Sequence, residues 1–330
     1  MRRREFIRLA GAAAAWPLVA RAQQGERMRR IGVLMGFGES DPEGKARLSR
    51  FAQGLAELGW IDGGNLRMDV RWGVGSVDRL RTFAKELVDL QPDVILAGST
   101  PPTAALQQET RTIPIVFAGV SDPVGSGFVA GLPRPGGNMT GFINLEALLA
   151  GKWLELLTQI APTVKRAAIM FNPDTAPYFK SYYLPLFEAA ARSLGVEPIT
   201  APVHSDAEIE TVITSLGREP RGGLVIPPDG FALLHREPII LLAARCNVPA
   251  VFPNSAYVRG GGLLSYGPDQ ADIFHRSAFY VDRILRGANP ADLPVQLPVK
   301  FEMALNAKTA KALGLAIPSS ILLRADEVIE

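Results

Sequence analysis

The sequence predicts an α/β protein of two lobes, each a parallel sheet covered by helices, and three observations carry that expectation. Short runs rich in Val, Ile and Phe alternate with longer amphipathic stretches, the pattern of strands covered on both faces and joined by crossover helices. The alternation is laid down twice, with a Pro/Gly-rich break between the halves. The chain is also too long for one core: 330 residues, nearly half of them apolar, favour two domains.

The first strand reads Ile31 to Met35, and a helix follows from about Ala46 to Leu58, ending at the Gly59 stop signal. Arg67 to Trp72 is a strand, Val77 to Asp89 a helix, and Val94 to Ala97 a buried strand. After Thr100 a short helix runs to about Glu109, with Pro102 in the first turn, where its missing N–H had no partner to lose. Ile115 to Ala118 is the fourth strand. The break at Leu132 to Gly137 precedes Met139 to Ile143, and helical periodicity resumes at Leu148, which marks the first crossing between lobes.

The second half repeats the scheme with strands at Ala167 to Phe171, Pro198 to Ala201, Leu224 to Ile226 and Ala250 to Phe252. Leu263 to Gly267 then leads into an amphipathic helix from about Gln270 to Leu285, and Pro290 to Pro298 precedes a strand at Phe301 to Leu305. On this pattern the chain returns to the first lobe and crosses again, so residues 29–141 plus 267–299 form one lobe and 142–266 plus 300–330 the other. Several crossings make a hinge, because a few residues at element ends absorb the change of domain closure.

The first 22 residues read as an export signal rather than as part of either lobe. Arg3 and Arg4, followed by Phe6-Ile7-Arg8, match a twin-arginine signal; an alanine-rich apolar stretch and the cleavage triplet Ala20-Arg21-Ala22 follow. The stretch is shorter than the roughly 20 residues a spanning helix needs, and Pro17 interrupts it. This segment carries five arginines and one glutamate, so the formal charge of +2 becomes about −2 after cleavage, with no basic patch for nucleic acid. The single cysteine, Cys246, excludes an internal disulfide and a multi-cysteine metal site; it is expected as a small buried hydrophobe.

In doubly wound sheets ligands sit beyond the carboxyl ends of the strands, where helix N-termini offer free N–H groups. The candidate loops of the first half carry Phe37 and Gly38, Ser99 and Thr100, and Ser121 and Asp122. Ser99 or Thr100 could simply cap its own helix; the alternative is that hydroxyls and backbone donors there hold a ligand carboxylate while Phe37 faces its apolar part. In the second half the matching loops carry Asn172 and Asp174 with Tyr178, Asp229, and Asn254 with Tyr257. An ammonium group would seek an acid such as Asp229 or Asp174, whereas an aspartate at such places is also a routine helix cap, the reading favoured for Asp174.

Enzyme signatures are largely missing. Gly36-Phe37-Gly38 lacks the third glycine of a dinucleotide loop, no serine is framed as G-x-S-x-G, there is no P-loop, and His204, His235 and His275 are scattered without a metal-binding spacing. No cofactor or metal is expected.

The run from Pro92-Asp93-Val94 through Ser99-Thr100-Pro101, Ser121-Asp122-Pro123-Val124 and Arg134-Pro135-Gly136-Gly137-Asn138 resembles the ABC-transporter substrate-binding protein family that includes tryptophan-binding members. Gly151 to Leu157, Phe171-Asn172-Pro173, Gly261 to Gly267 and Ala325 to Ile329 resemble it too, so the likeness spans nearly all of the chain after the signal. The resemblance implies a type I periplasmic-binding fold of two Rossmann-like lobes joined by three crossings, with a membrane permease and its ATPase as partners. It also points to an aromatic or other amino acid or a related carboxylate as the solute, held at Ser99, Thr100, Ser121 and Asp122, while the cleavable signal with no cysteine directly after it makes the expected product a soluble periplasmic protein, taken as a monomer. Two other readings share the architecture: an exported enzyme, and a sugar-responsive transcription regulator, which the export signal in place of DNA-binding helices argues against.

Overall fold

The computed structural model describes residues 28–74, 76–144, 148–218 and 221–330; the expected export signal lies outside the described residues. The first sheet is wholly parallel, in the order β2-β1-β3-β4-β5, from β1 (Arg29–Met35), β2 (Leu66–Trp72), β3 (Val94–Gly98), β4 (Ile115–Val120) and β5 (Met139–Ile143). Its central strands β3 and β4 are buried along their whole length, as strands covered on both faces must be. The helix after β1 is Pro42–Glu57 and starts earlier than periodicity implied. Asp41 accepts hydrogen bonds from the Glu43 and Gly44 amides and Pro42 opens the first turn, a cap and N1 pair that outranks the apolar pattern.

Strand β5 pairs with β4 through Ile143, so residues 142 and 143, assigned above to the second lobe, belong to the first sheet. The strand is held from both sides. At Gly141 (φ +153°) a Cβ would stand 2.0 Å from the Phe117 carbonyl oxygen, a place only glycine fits. On its outer edge β5 meets a returning segment: Ile143 donates to the Gln296 carbonyl (3.0 Å) and the Gln296 amide donates to that of Gly141 (2.8 Å).

The second sheet has the order β12-β11-β10-β9-β8-β6-β7, from β6 (Arg166–Phe171), β7 (Glu197–Pro202), β8 (Gly222–Val225), β9 (Ala250–Phe252), β10 (Leu264–Pro268), β11 (Phe301–Asn306) and β12 (Glu327–Ile329). It is parallel except that β10 and β11 run antiparallel, so it is not a copy of the first. Residues 267 and 268, expected in the first lobe, end β10 in this second sheet. Trp153 anchors the core from the Leu149–Ile160 helix: its ring is fully buried and its Nε1 donates to the Tyr266 carbonyl at 2.6 Å. Cys246 is only half-buried, at the rim of the Ile239 and Ile240 cluster.

After β10 the chain goes back to the first lobe. The Gln270–Leu285 helix lays Ile273, Phe274, Ala278 and Val281 against Ile31, Val33, Phe51 and Leu55. Gly54 permits the approach, since a Cβ there would come 2.6 Å from the His275 carbonyl. The chain passes between sheets after Ile143, between Pro268 and Gln270, and before Phe301. Two of these passages are tied together: the Asp269 amide donates to the Lys300 carbonyl (2.9 Å) and its carboxylate meets Lys300 Nζ at 2.7 Å.

Candidate functional site

The carboxyl ends of the two sheets face each other across a cavity lined by both lobes. From the first lobe come Ser99, Thr100, Gly119, Ser121 and Asn144, at the ends of β3, β4 and β5. Ser99 is strained, with φ 98° and ψ 173°, a region nearly reserved for glycine. Its amide donates to the Ala118 carbonyl, and its hydroxyl makes no cap bond to the Thr100–Glu109 helix. Thr100 Oγ1 accepts from the Ser121 amide (3.3 Å), and Ser121 Oγ donates to Asn144 Oδ1 (3.1 Å). The hydroxyls thus tie the three loops into one wall.

The second lobe contributes Thr175, Asp229, Gly230, Leu233, Asn254 and Tyr257. The buried Asp229 carboxylate accepts hydrogen bonds from the Asn172 amide (2.8 Å), the Phe231 amide (3.0 Å) and the Thr175 hydroxyl. Burial pushes its carboxyl above the usual range, against these donors, which favour the charged form. Asn254 Oδ1 caps the Ala256 amide (3.2 Å). The Tyr257 ring stacks on Phe252 at 4.8 Å, and its hydroxyl is buried without a hydrogen-bond partner among the described residues; burial pushes that hydroxyl well above its ordinary pKa.

Of the loop residues singled out above, Ser99, Thr100, Ser121, Asp229, Asn254 and Tyr257 therefore line one cavity, and six do not. Phe37 lies in the first core, 2% exposed, beneath the Arg47 guanidinium at 4.9 Å, and adjoining Gly38 does not reach the cavity. Asp122 Oδ1 is spent on the Gly125 amide (2.8 Å), closing its own turn. Asn172 Oδ1 does the same for Asp174 and Thr175. Tyr178 is buried, its hydroxyl donating to the Pro228 carbonyl at 2.9 Å. Asp174 is exposed, and the three histidines sit apart at the surface, each beside an acid.

Sequence reasoning missed Arg47, Asn144, Thr175 and Gln270. Arg47 had a legible signal: it occupies the buried face of its helix in line with Gly44, Phe51, Gly54 and Leu55, a position where a charged side chain is out of place.

The lobes touch across the cleft. Arg236 Nη2 lies 2.7 Å from Asp41 Oδ2, and Arg259 Nη1 lies 3.9 Å from Glu43 Oε2. A Cβ at Gly230 would come 3.4 Å from the Pro101 ring. Among the described residues no group of three or more His, Cys, Asp or Glu could hold a metal, and no helix is long and apolar enough to cross a membrane.

Two α/β lobes shut on a polar cavity, with the chain passing between them at a hinge, define a solute-binding protein of the two-lobed class. The family pattern described as ABC transporter substrate binding protein matches residues 40–329, and the chain belongs to that family. It is 27% identical over 266 residues to a tyrosine-binding protein of Clostridioides difficile (strain R20291), covering 80% of this chain and 75% of that one. A Streptococcus pneumoniae ABC domain in complex with L-Trp superimposes with a TM-score of 0.82 at 28% identity, covering 91% and 99% of the two chains. A ligand-free, open substrate binding protein from Clostridium difficile gives 0.69 at 25% identity over the same shares. The better fit to the ligand-bound relative agrees with the contacts that close the cleft.

Proposed function

We propose that this chain is the exported solute-binding component of an ABC importer, a periplasmic monomer that closes on one amino acid or related small carboxylate and presents it to a permease. The observation that carries this reading is the cavity itself, to which both lobes bring hydroxyls, an amide, an acid and a cation. It is narrow, ≈ 50 Å³. An adjoining pocket of ≈ 340 Å³ shares Thr100, Pro101 and Thr175 with it and is walled by Leu80, Ala104, Phe128 and Pro177. That arrangement supports a solute with its polar end in the narrow space and an apolar side chain directed to the wider one. Relatives named for tyrosine binding and complexed with L-Trp support an aromatic side chain.

The test is a thermal melt of the protein lacking residues 1–22 against a panel of amino acids and small carboxylates. A ligand that binds the closed form raises the midpoint according to RT ln(1 + [L]/Kd), about 2.7 kcal/mol at a hundredfold excess over Kd. Aromatic amino acids are expected to give the largest rise, and a flat response across the panel would sink the proposal. For export, replacing both Arg3 and Arg4 by Lys is expected to hold the precursor in the cytoplasm; an unchanged periplasmic yield would assign it to the general secretory route.

A further inference from the structure

A carboxylate bound in this cleft has an obvious candidate anchor in the N-terminus of the Thr100–Glu109 helix, and the local chemistry argues against it. Pro101 and Pro102 have no N–H to donate. The Thr103 amide already donates to the Ser99 carbonyl (3.3 Å), and the Ser121 amide to Thr100 Oγ1. The first turn is thus left with little more than the Thr100 amide, far short of the donor cluster that makes a helix N-terminus an anion site.

Arg47 stands on the opposite account. Its side chain is 6% exposed and lines the cavity. Its Nε donates to Glu43 Oε1 at 2.8 Å, while Nη2 is buried with no hydrogen-bond partner among the described residues. The guanidinium lies 4.9 Å from the centre of the Phe37 ring and 5.8 Å from that of Phe274, so two aromatic rings and Glu43 hold it in place. A buried charged donor left unpaired is costly, and the side chain that carries this one lines the space where a solute goes.

Resting on the reading above, we propose that Arg47 is the solute's anion anchor: the guanidinium edge opposite Glu43 binds the carboxylate of the trapped amino acid. Ser99 and Thr100 then shape the wall rather than carry the charge. Glu43, one turn before Arg47, also faces Arg259 of the second lobe, so the anchor sits beside a contact that forms only when the lobes meet.

Calorimetry on a residue-by-ligand cycle tests this, using the amino acid with the largest thermal shift and its carboxamide on the parent, Arg47→Met and Arg47→Lys proteins. The parent is expected to favour the acid over the carboxamide by roughly 10- to 100-fold, the worth of a charge-assisted hydrogen bond, and Arg47→Met to bind both alike. The cycle separates the pair from any general loosening of the cleft. Arg47→Lys, which keeps the charge and loses the planar fork, is expected to retain part of the preference, and it carries the test if Arg47→Met does not fold. An undiminished preference for the acid in Arg47→Met, or parent-like preference and affinity in Arg47→Lys, overturns the assignment. A parent that binds no amino acid or carboxylate sinks the functional reading first, and this one with it.

Discussion

Ser99 shows what a sequence conveys about a site and what it withholds. Its place after a buried strand marked the loop, because strand ends are where these sheets bind ligands, and Thr100, Ser121, Asp229, Asn254 and Tyr257 were found by the same rule. Its backbone conformation was not legible, since no neighbouring residue announces φ 98° for a serine. The side-chain directions of Asp122 and Tyr178 were hidden too, because each is decided by one local hydrogen-bond partner. Ser99→Gly is expected to raise stability by about 1 kcal/mol through relief of strain. The same change removes a hydroxyl from the cavity wall, so affinity for the solute should fall while the melting temperature climbs. If both rise together in calorimetry and thermal melts, the Ser99 hydroxyl has no part in binding.

Most elements were readable from period and punctuation, and the departures have particular causes. The Pro42–Glu57 helix begins at its cap rather than at its first apolar residue. Strand β12 is three residues long, too short for alternation to register, and the antiparallel entry of β11 depends on a returning chain that local pattern cannot reveal. Between those elements the Asp269 and Lys300 pair ties two passages of the hinge. Burial pushes the Asp269 carboxyl up, but the Lys300 ammonium and the Asp272 and Ala271 amides bring it below its ordinary value. The ionised form is therefore worth more in the folded protein. That stability is fully present above the ordinary aspartate value, about 3.9, and is lost as pH falls through the lower folded one. Asp269→Asn should melt below the parent at neutral pH, with the gap closing in acid. A gap that stays constant across a pH series would mean the pair is held by packing rather than by charge.

At the scale of the molecule, two lobes and a hinge were legible from length and repetition, whereas contact between the lobes was not. Arg236 and Asp41 are 195 positions apart in the chain, and nothing near either residue points to the other. The pair is formed across the cleft with side chains only 14% and 16% exposed, which places it between the weak surface and the costly buried regimes. Arg236→Ala is the cleaner probe, because Asp41 also caps its own helix. It should shift the equilibrium toward an open form and weaken solute binding by about 1 kcal/mol, mostly through faster release. Small-angle scattering should then report a larger radius of gyration with solute present, and an unchanged radius and release rate would remove the pair from closure.

Neither lobe is made from one continuous stretch of chain, and that sets a clock on the newborn protein. The first sheet is finished by Ile143, but one of its faces is only partly covered, by the Pro42–Glu57 helix, until the Gln270–Leu285 helix has been synthesised. The second sheet waits longer, since β11 must add to β10 and β12 to β11. Pairings so distant in sequence form slowly. The second lobe therefore stays incomplete after the first has all its parts, and the closed cleft can form only once β11 and β12 are in place.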